Sequence, residues 1–127
     1  MASGELGKIY KDGEVIICEG EEGNCMFVIQ EGKVEVLIAG DKEQEIRLGI
    51  RGAGEFFGEM AIFDRDVRSA TVRAMGEARV LTVDKKNFMR RVHEDPSLAF
   101  RLVETMSRRI REMGEEVARL QNKLNSK

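Results

Sequence analysis

Histidine occurs once in this chain of 127 residues, cysteine twice and proline once. No apolar run approaches the length of a bilayer span, and positive charge has no excess. Each shortage excludes something. A metal-dependent enzyme needs several His and carboxylate ligands at one site, and the single His93 reads as a surface or helix-end residue of a predicted short helix. Cys18 and Cys25 match no metal-binding spacing; with no secretory signal pattern at the start, they read as free thiols among small core residues of strands. A membrane-spanning helix takes about 20 apolar residues, so no membrane partner is expected and cytoplasmic residence is the default. The formal charge of −2 lacks the clustered positive excess of a nucleic-acid binder.

Glycine is scarce in one half only. Twelve of the thirteen precede residue 80, and Gly114 alone follows. The chain therefore reads as a turn-punctuated first part and a helical second part within a single domain, 1–127. Between Gly7 and Asp84, the segments EVIIC, CMFVIQ, KVEVLIA, EIRLGI, SATVRA and ARVLTV alternate with glycine and acidic turns. Val34, Val36 and Ile38 share one parity, as do Ile46, Leu48 and Ile50, which predicts half-buried antiparallel strands. AGDKEQ reads as a polar hairpin connection. The fold class expected is mainly β with C-terminal helices (α+β): an antiparallel β-roll or jelly-roll-like barrel over about 7–84, then a short helix and a long one.

KKNFMRRVHED predicts the short amphipathic helix, 85–95, with Phe88, Met89 and Val92 on its inner side. Asp95 is placed to cap the next helix, with Pro96 at its first position. From 96 to 124 the apolar residues Ala99, Val103, Met106, Ile110, Met113, Val117, Leu120 and Leu124 follow an unbroken heptad. Packing on its own barrel would explain the first turns, around Phe100 and Val103. At about 1.5 Å rise per residue, however, the helix outruns so small a domain. Its distal half is expected to dimerise, with Gly114 on the flank of the seam as a flex point or a close-approach site.

The segment FFGEMAIFDRDVRSATV places Gly58-Glu59 and Arg68-Ser69 inside apolar sequence. A charge drawn into a core needs a partner. Either Glu59 and Arg68 brace each other, or a ligand arrives. A helical turn starting near Gly58 would expose main-chain N–H groups that attract an anion. Arg68 offers a planar fork for phosphate oxygens, and Ser69 adds a hydroxyl and an N–H. Glu59 repels a bare anion but would accept from a hydroxyl on the same ligand. Phosphate beside ribose meets both demands, so the implied ligand is a nucleotide.

FGEMAIFDRDVRSATV resembles the phosphate-binding cassette of the cyclic nucleotide-binding domain family. DGEVIICEGEEGNCMFVIQEGKVEV is similar to that family's opening strands, and the helices after Asp84 to its last two. The likeness covers nearly the whole chain and includes the β-rolls of catabolite activators and of protein kinase A regulatory subunits. It implies that Glu59 accepts from the ribose 2′-hydroxyl and that Arg68 pairs with the cyclic phosphate. The main-chain N–H groups of Met60, Ala61 and Ser69 would complete the cradle, with Gly58 admitting the close approach. Val36 and Leu48 would line the sugar and base cavity. MSRRIREMGEEV resembles bacterial cAMP receptors, whose Thr-Ser pair on the adenine is replaced here by Met113-Gly114; the base would then meet Arg109 or an apolar lid from Met113.

The resemblance implies cAMP, favoured over cGMP, as ligand, no prosthetic group, and a sensor in place of an enzyme. No winged-helix DNA reader is expected after Leu124, so direct nucleic-acid binding is not expected. The partners expected are a second copy or a separate effector protein. Two other readings stay open: a structural dimerisation module with a vestigial cassette, and the truncated effector domain of a transcription regulator.

Overall fold

The computed structural model describes residues 6–63 and 67–126. These form two compact units, Met1–Phe88 and Met89–Lys127. The elements in order are β1 (Lys8–Tyr10), β2 (Val15–Ile17), β3 (Cys25–Ala39), a 3-10 turn (Asp41–Glu43), β4 (Glu45–Gly52), β5 (Phe56–Phe57), α1 (Met60–Phe63), β6 (Thr71–Asp84), α2 (Lys85–Glu94) and α3 (Ser97–Asn125). Every strand pairing is antiparallel: β6 takes β1, β2 and β3, while β3 also takes β4 and β5. The expected β-roll with C-terminal helices is the architecture observed.

Two long strands carry the roll. CMFVIQ and KVEVLIA are one strand, β3, running through Gly32 at φ +82. SATVRA and ARVLTV are likewise one strand, β6, through Gly76 at φ +77. Both glycines stand in the left-handed region that other residues avoid, yet β3 and β6 stay paired on both sides, with register shifts at Ile29/Glu31 and Glu31/Lys33. They act as bulges that bend a continuous ladder, where the sequence suggested turns that end strands. Between the strands lies the core of Ile17, Phe27, Ile29, Val34, Phe57, Val72, Ala74, Ala78 and Val80. Phe27 and Phe57 stack in it with centroids 5.1 Å apart.

β4 departs from the expected alternation. Val36 pairs with Gly49 and Leu37 with Arg47, so Leu48 is the extra residue of a bulge. Ile46 therefore lies beside Ile38, but Ile50 lies beside Glu35, on the next pleat. Ile46, Leu48 and Ile50 do not form one half-buried face, and Leu48 is 59% exposed. Glu35 anchors the strand trio instead, accepting from Arg47 on β4 and Arg73 on β6. The Arg73 hydrogen bond, assisted by Arg47, holds the Glu35 carboxyl below the usual range.

Within α2, Phe88 and Arg91 are buried and Val92 is half-buried, while Met89 is exposed. The inner stripe runs i, i+3, i+4 from Phe88, which leaves Met89 about 100° away round the helix. Asp95 accepts from the main-chain N–H of Ser97 at 3.2 Å and from its hydroxyl, as a cap should. In α3 the buried residue is Leu102; Phe100 and Val103, expected to pack, are exposed. Ile110, Met113, Val117, Leu120 and Leu124 of the heptad are exposed as well. No helix is long and apolar enough to cross a membrane, among the described residues.

Candidate functional site

The cassette begins where β5 ends. Phe56 and Phe57 are buried, with Phe57 opposite Phe27 of β3, and the chain then leaves the sheet at Gly58 with φ +74. Glycine is required there twice. The left-handed conformation strains any other residue, and a Cβ would lie 2.8 Å from Arg68 Nη1 and 2.9 Å from Ile17 Cδ1. The single turn of α1 follows, its Ile62 N–H donating to Glu59 O at 2.9 Å. Ala61 and Ile62 are buried and anchor it. The Ala61 N–H makes only a long 3.4 Å bond to Gly58 O, a weak commitment that a better acceptor can replace.

Arg68 is fixed by the β2–β3 connection. Its N–H donates to Glu21 O at 2.7 Å, and its carbonyl accepts from Gly20 N–H at 2.9 Å. Nη1 donates to Gly58 O and Nη2 to Cys25 O, both at 2.8 Å. The guanidinium carbon stands 5.6 Å from the centroid of the Phe27 ring. Carbonyl acceptors orient the charge without cancelling it. Among the described ion pairs none joins Arg68 to Glu59.

The structure thus joins both Arg68 and Ala61 to the Gly58 carbonyl, with Glu59 half-buried. Met60 and Ser69 are exposed. Val36 is half-buried and packs on the core cluster. Leu48 sits on the β4 bulge, and Arg109 belongs to α3 in the second unit. Residues 64–66 of the cassette lie outside the described residues. A cavity of about 230 Å³ borders α1, lined by Asn24, Ala61, Ile62, Asp84, Lys85 and Lys86. It shares only Ala61 with the expected site. No group of three or more His, Cys, Asp or Glu among the described residues could hold a metal ion.

Sequence reasoning missed three contributors. Gly23 counted as one turn glycine among many, Cys25 as a small core residue and Phe27 as a strand residue. All three touch, or would touch, the Arg68 side chain. Nothing local marks them, because Cys25 and Arg68 are 43 residues apart in sequence.

The family model for the cyclic nucleotide-binding domain matches residues 8–95, from β1 through the end of α2. The chain belongs to the cyclic nucleotide-binding domain family. A putative potassium channel protein of Rhodopseudomonas palustris is 37% identical to this cyclic nucleotide-binding domain over 111 residues, covering 86% of the chain and 26% of the channel protein. The cyclic AMP receptor protein of Thermus thermophilus is 30% identical over 105 residues, covering 83% and 49%. The crystal structure of the Thermus thermophilus catabolite activator protein superposes with a TM-score of 0.80 at 29% identity, covering 90% of this domain and 54% of that chain. The domain spans about a quarter to a half of the length of these relatives.

Proposed function

We propose that this domain is a sensor that binds a 3′,5′-cyclic nucleotide at the segment from Gly58 to Ser69, taking cAMP in preference to cGMP. The observation that carries the reading is the state of Arg68. Its guanidinium is oriented by two neutral carbonyls, its charge uncancelled by them, beside a turn whose Ala61 N–H is weakly committed. A cyclic phosphate would take the Arg68 fork and the N–H groups of Met60, Ala61 and Ser69. Glu59 would grip the ribose 2′-hydroxyl, and Val36 and Leu48 would meet the sugar and base. Arg109 is proposed for the base itself. The preference for cAMP is supported by the relative named a cyclic AMP receptor protein.

Occupancy would be relayed through α1. Phe63, the last residue of α1, meets Phe88 of α2 edge to face at 5.8 Å. An anion that draws the 58–61 turn inward therefore shifts a ring in contact with the next helix. A ligand moves such an equilibrium only by its differential affinity for the two states. The exposed heptad of α3 suits a second copy of the chain or an effector protein. A further reading, the effector half of a longer regulator, is favoured by the share of each relative that the domain covers.

Calorimetric titration with cAMP, cGMP and 5′-AMP tests the function. Saturable binding in the order cAMP, cGMP, 5′-AMP is expected. Failure of all three to bind would leave a structural module with a vestigial cassette.

A further inference from the structure

We infer that Gly23 is a positioning residue for the nucleotide site, keeping open the slot in which the Arg68 guanidinium lies. The inference rests on the cyclic nucleotide reading above and assigns a role to a residue outside the cassette. A Cβ built on Gly23 would stand 2.2 Å from Arg68 Nε, 2.3 Å from Cζ and 2.5 Å from Nη2. No carbon approaches a guanidinium so closely. Gly23 thus forms one wall of the slot, with the Phe27 ring, the Gly58 carbonyl and the Cys25 carbonyl as the others.

Two features together set Gly23 apart from Gly7, Gly32 and Gly58. Its φ lies outside the left-handed region, so its backbone suits an L side chain. The atoms in its way also belong to the far end of a flexible side chain. At Gly7, by contrast, a Cβ would meet the Val80 main chain at 2.3 Å, and at Gly32 the Glu77 carbonyl at 2.3 Å. Those backbone walls cannot give way without disturbing the sheet. The slot beside Gly23 can give way, by expelling the guanidinium. The absence of a methyl group at position 23 therefore governs where the phosphate-binding charge sits, with little bearing on whether the chain folds.

The test is Gly23→Ala, read three ways in the whole chain. Thermal unfolding reports the fold. The Arg68 Nε–Hε correlation in a nitrogen–proton spectrum, assigned by its loss in Arg68→Lys, reports the slot, because the Phe27 ring current acts on it. Titration with cAMP reports the site. The melting temperature is expected to stay near that of the parent, the Nε signal to move, and cAMP affinity to fall about tenfold or more, the scale of a lost charge-assisted pair. An unmoved signal or an unchanged or improved affinity overturns the inference. Loss of folding overturns it too, since a side chain alone should yield to the methyl group. If the parent chain binds no cyclic nucleotide, the functional reading fails, while the Nε signal still decides whether Gly23 places Arg68.

Discussion

The Arg68 guanidinium donates to the Gly58 carbonyl at 2.8 Å, closing the charged end of the cassette onto its glycine end. The residue that supplies positive charge and the residue that starts the N–H-bearing turn are therefore one mechanical unit. A second bond, from Arg68 to Cys25 at the start of β3, ties that unit to the sheet. A phosphate bound there would meet a charge already aimed, with little ordering left to do at the moment of binding.

Replacing Arg68 by Ala should leave the fold in place, because the core cluster does not include it. The same change should weaken cAMP binding by about 2–5 kcal/mol, the range for one partner of a charge pair removed. Calorimetry checks this; unaltered affinity would mean that the phosphate sits elsewhere.

The α3 seam predicts self-association. Ile110, Met113, Val117, Leu120 and Leu124 are exposed at heptad spacing on a helix of 29 residues. Sedimentation at micromolar concentration should show a dimer, and Ile110→Glu should return a monomer by placing a charge in the seam. A parent chain that sediments as a monomer with and without nucleotide would contradict dimerisation.

Acid should loosen the sheet and the start of α3. Glu35 is held below the ordinary carboxyl range chiefly by its hydrogen bond from Arg73. Asp95 is held there chiefly by the Ser97 hydroxyl. A carboxyl whose folded pKa is lowered contributes stability in full above its unfolded value, about 4, and loses it as pH falls through the folded value. The melting temperature should therefore drop below about pH 4, and less steeply in Glu35→Gln. Equal slopes for parent and variant would remove Glu35 from the account.

Lys42, in the 3-10 turn between β3 and β4, has φ 58 and ψ 42, a left-handed conformation unfavourable for its type. Lys42→Asn should raise stability by about 0.5–1 kcal/mol, since asparagine tolerates that region. Lys42→Val should lower it. Urea midpoints that move together in the two variants would show that the backbone angle is not the cause.

The cassette, the two helices and the strand-rich half were legible because their signals are local: a glycine beside a glutamate, a proline after an aspartate, apolar residues at fixed steps. The α3 heptad and the Asp95 cap are read from neighbours in the chain. Apart from Met89, which the helix's own periodicity turns outward, the misreadings depended on partners distant in sequence. Gly32 and Gly76 look like strand ends until the facing strand shows that they bend an unbroken pair. Leu48 alternates correctly with Ile46 and Ile50 in sequence, yet pairing with β3 makes it a bulge. Phe100 and Val103 mark the first turns as the packing stretch in sequence, but Leu102 is the residue that is buried. Gly23 is ordinary in its own loop and becomes critical only when Arg68 is folded against it.

A crystal structure of the complex with cAMP tests the central claim most directly. The account predicts the Arg68 guanidinium on the cyclic phosphate while it still donates to the Gly58 carbonyl, with the Glu59 carboxylate on the ribose 2′-hydroxyl. An arginine turned out to solvent, with side chains filling the space beside the 58–61 turn and the nucleotide bound elsewhere, would contradict it.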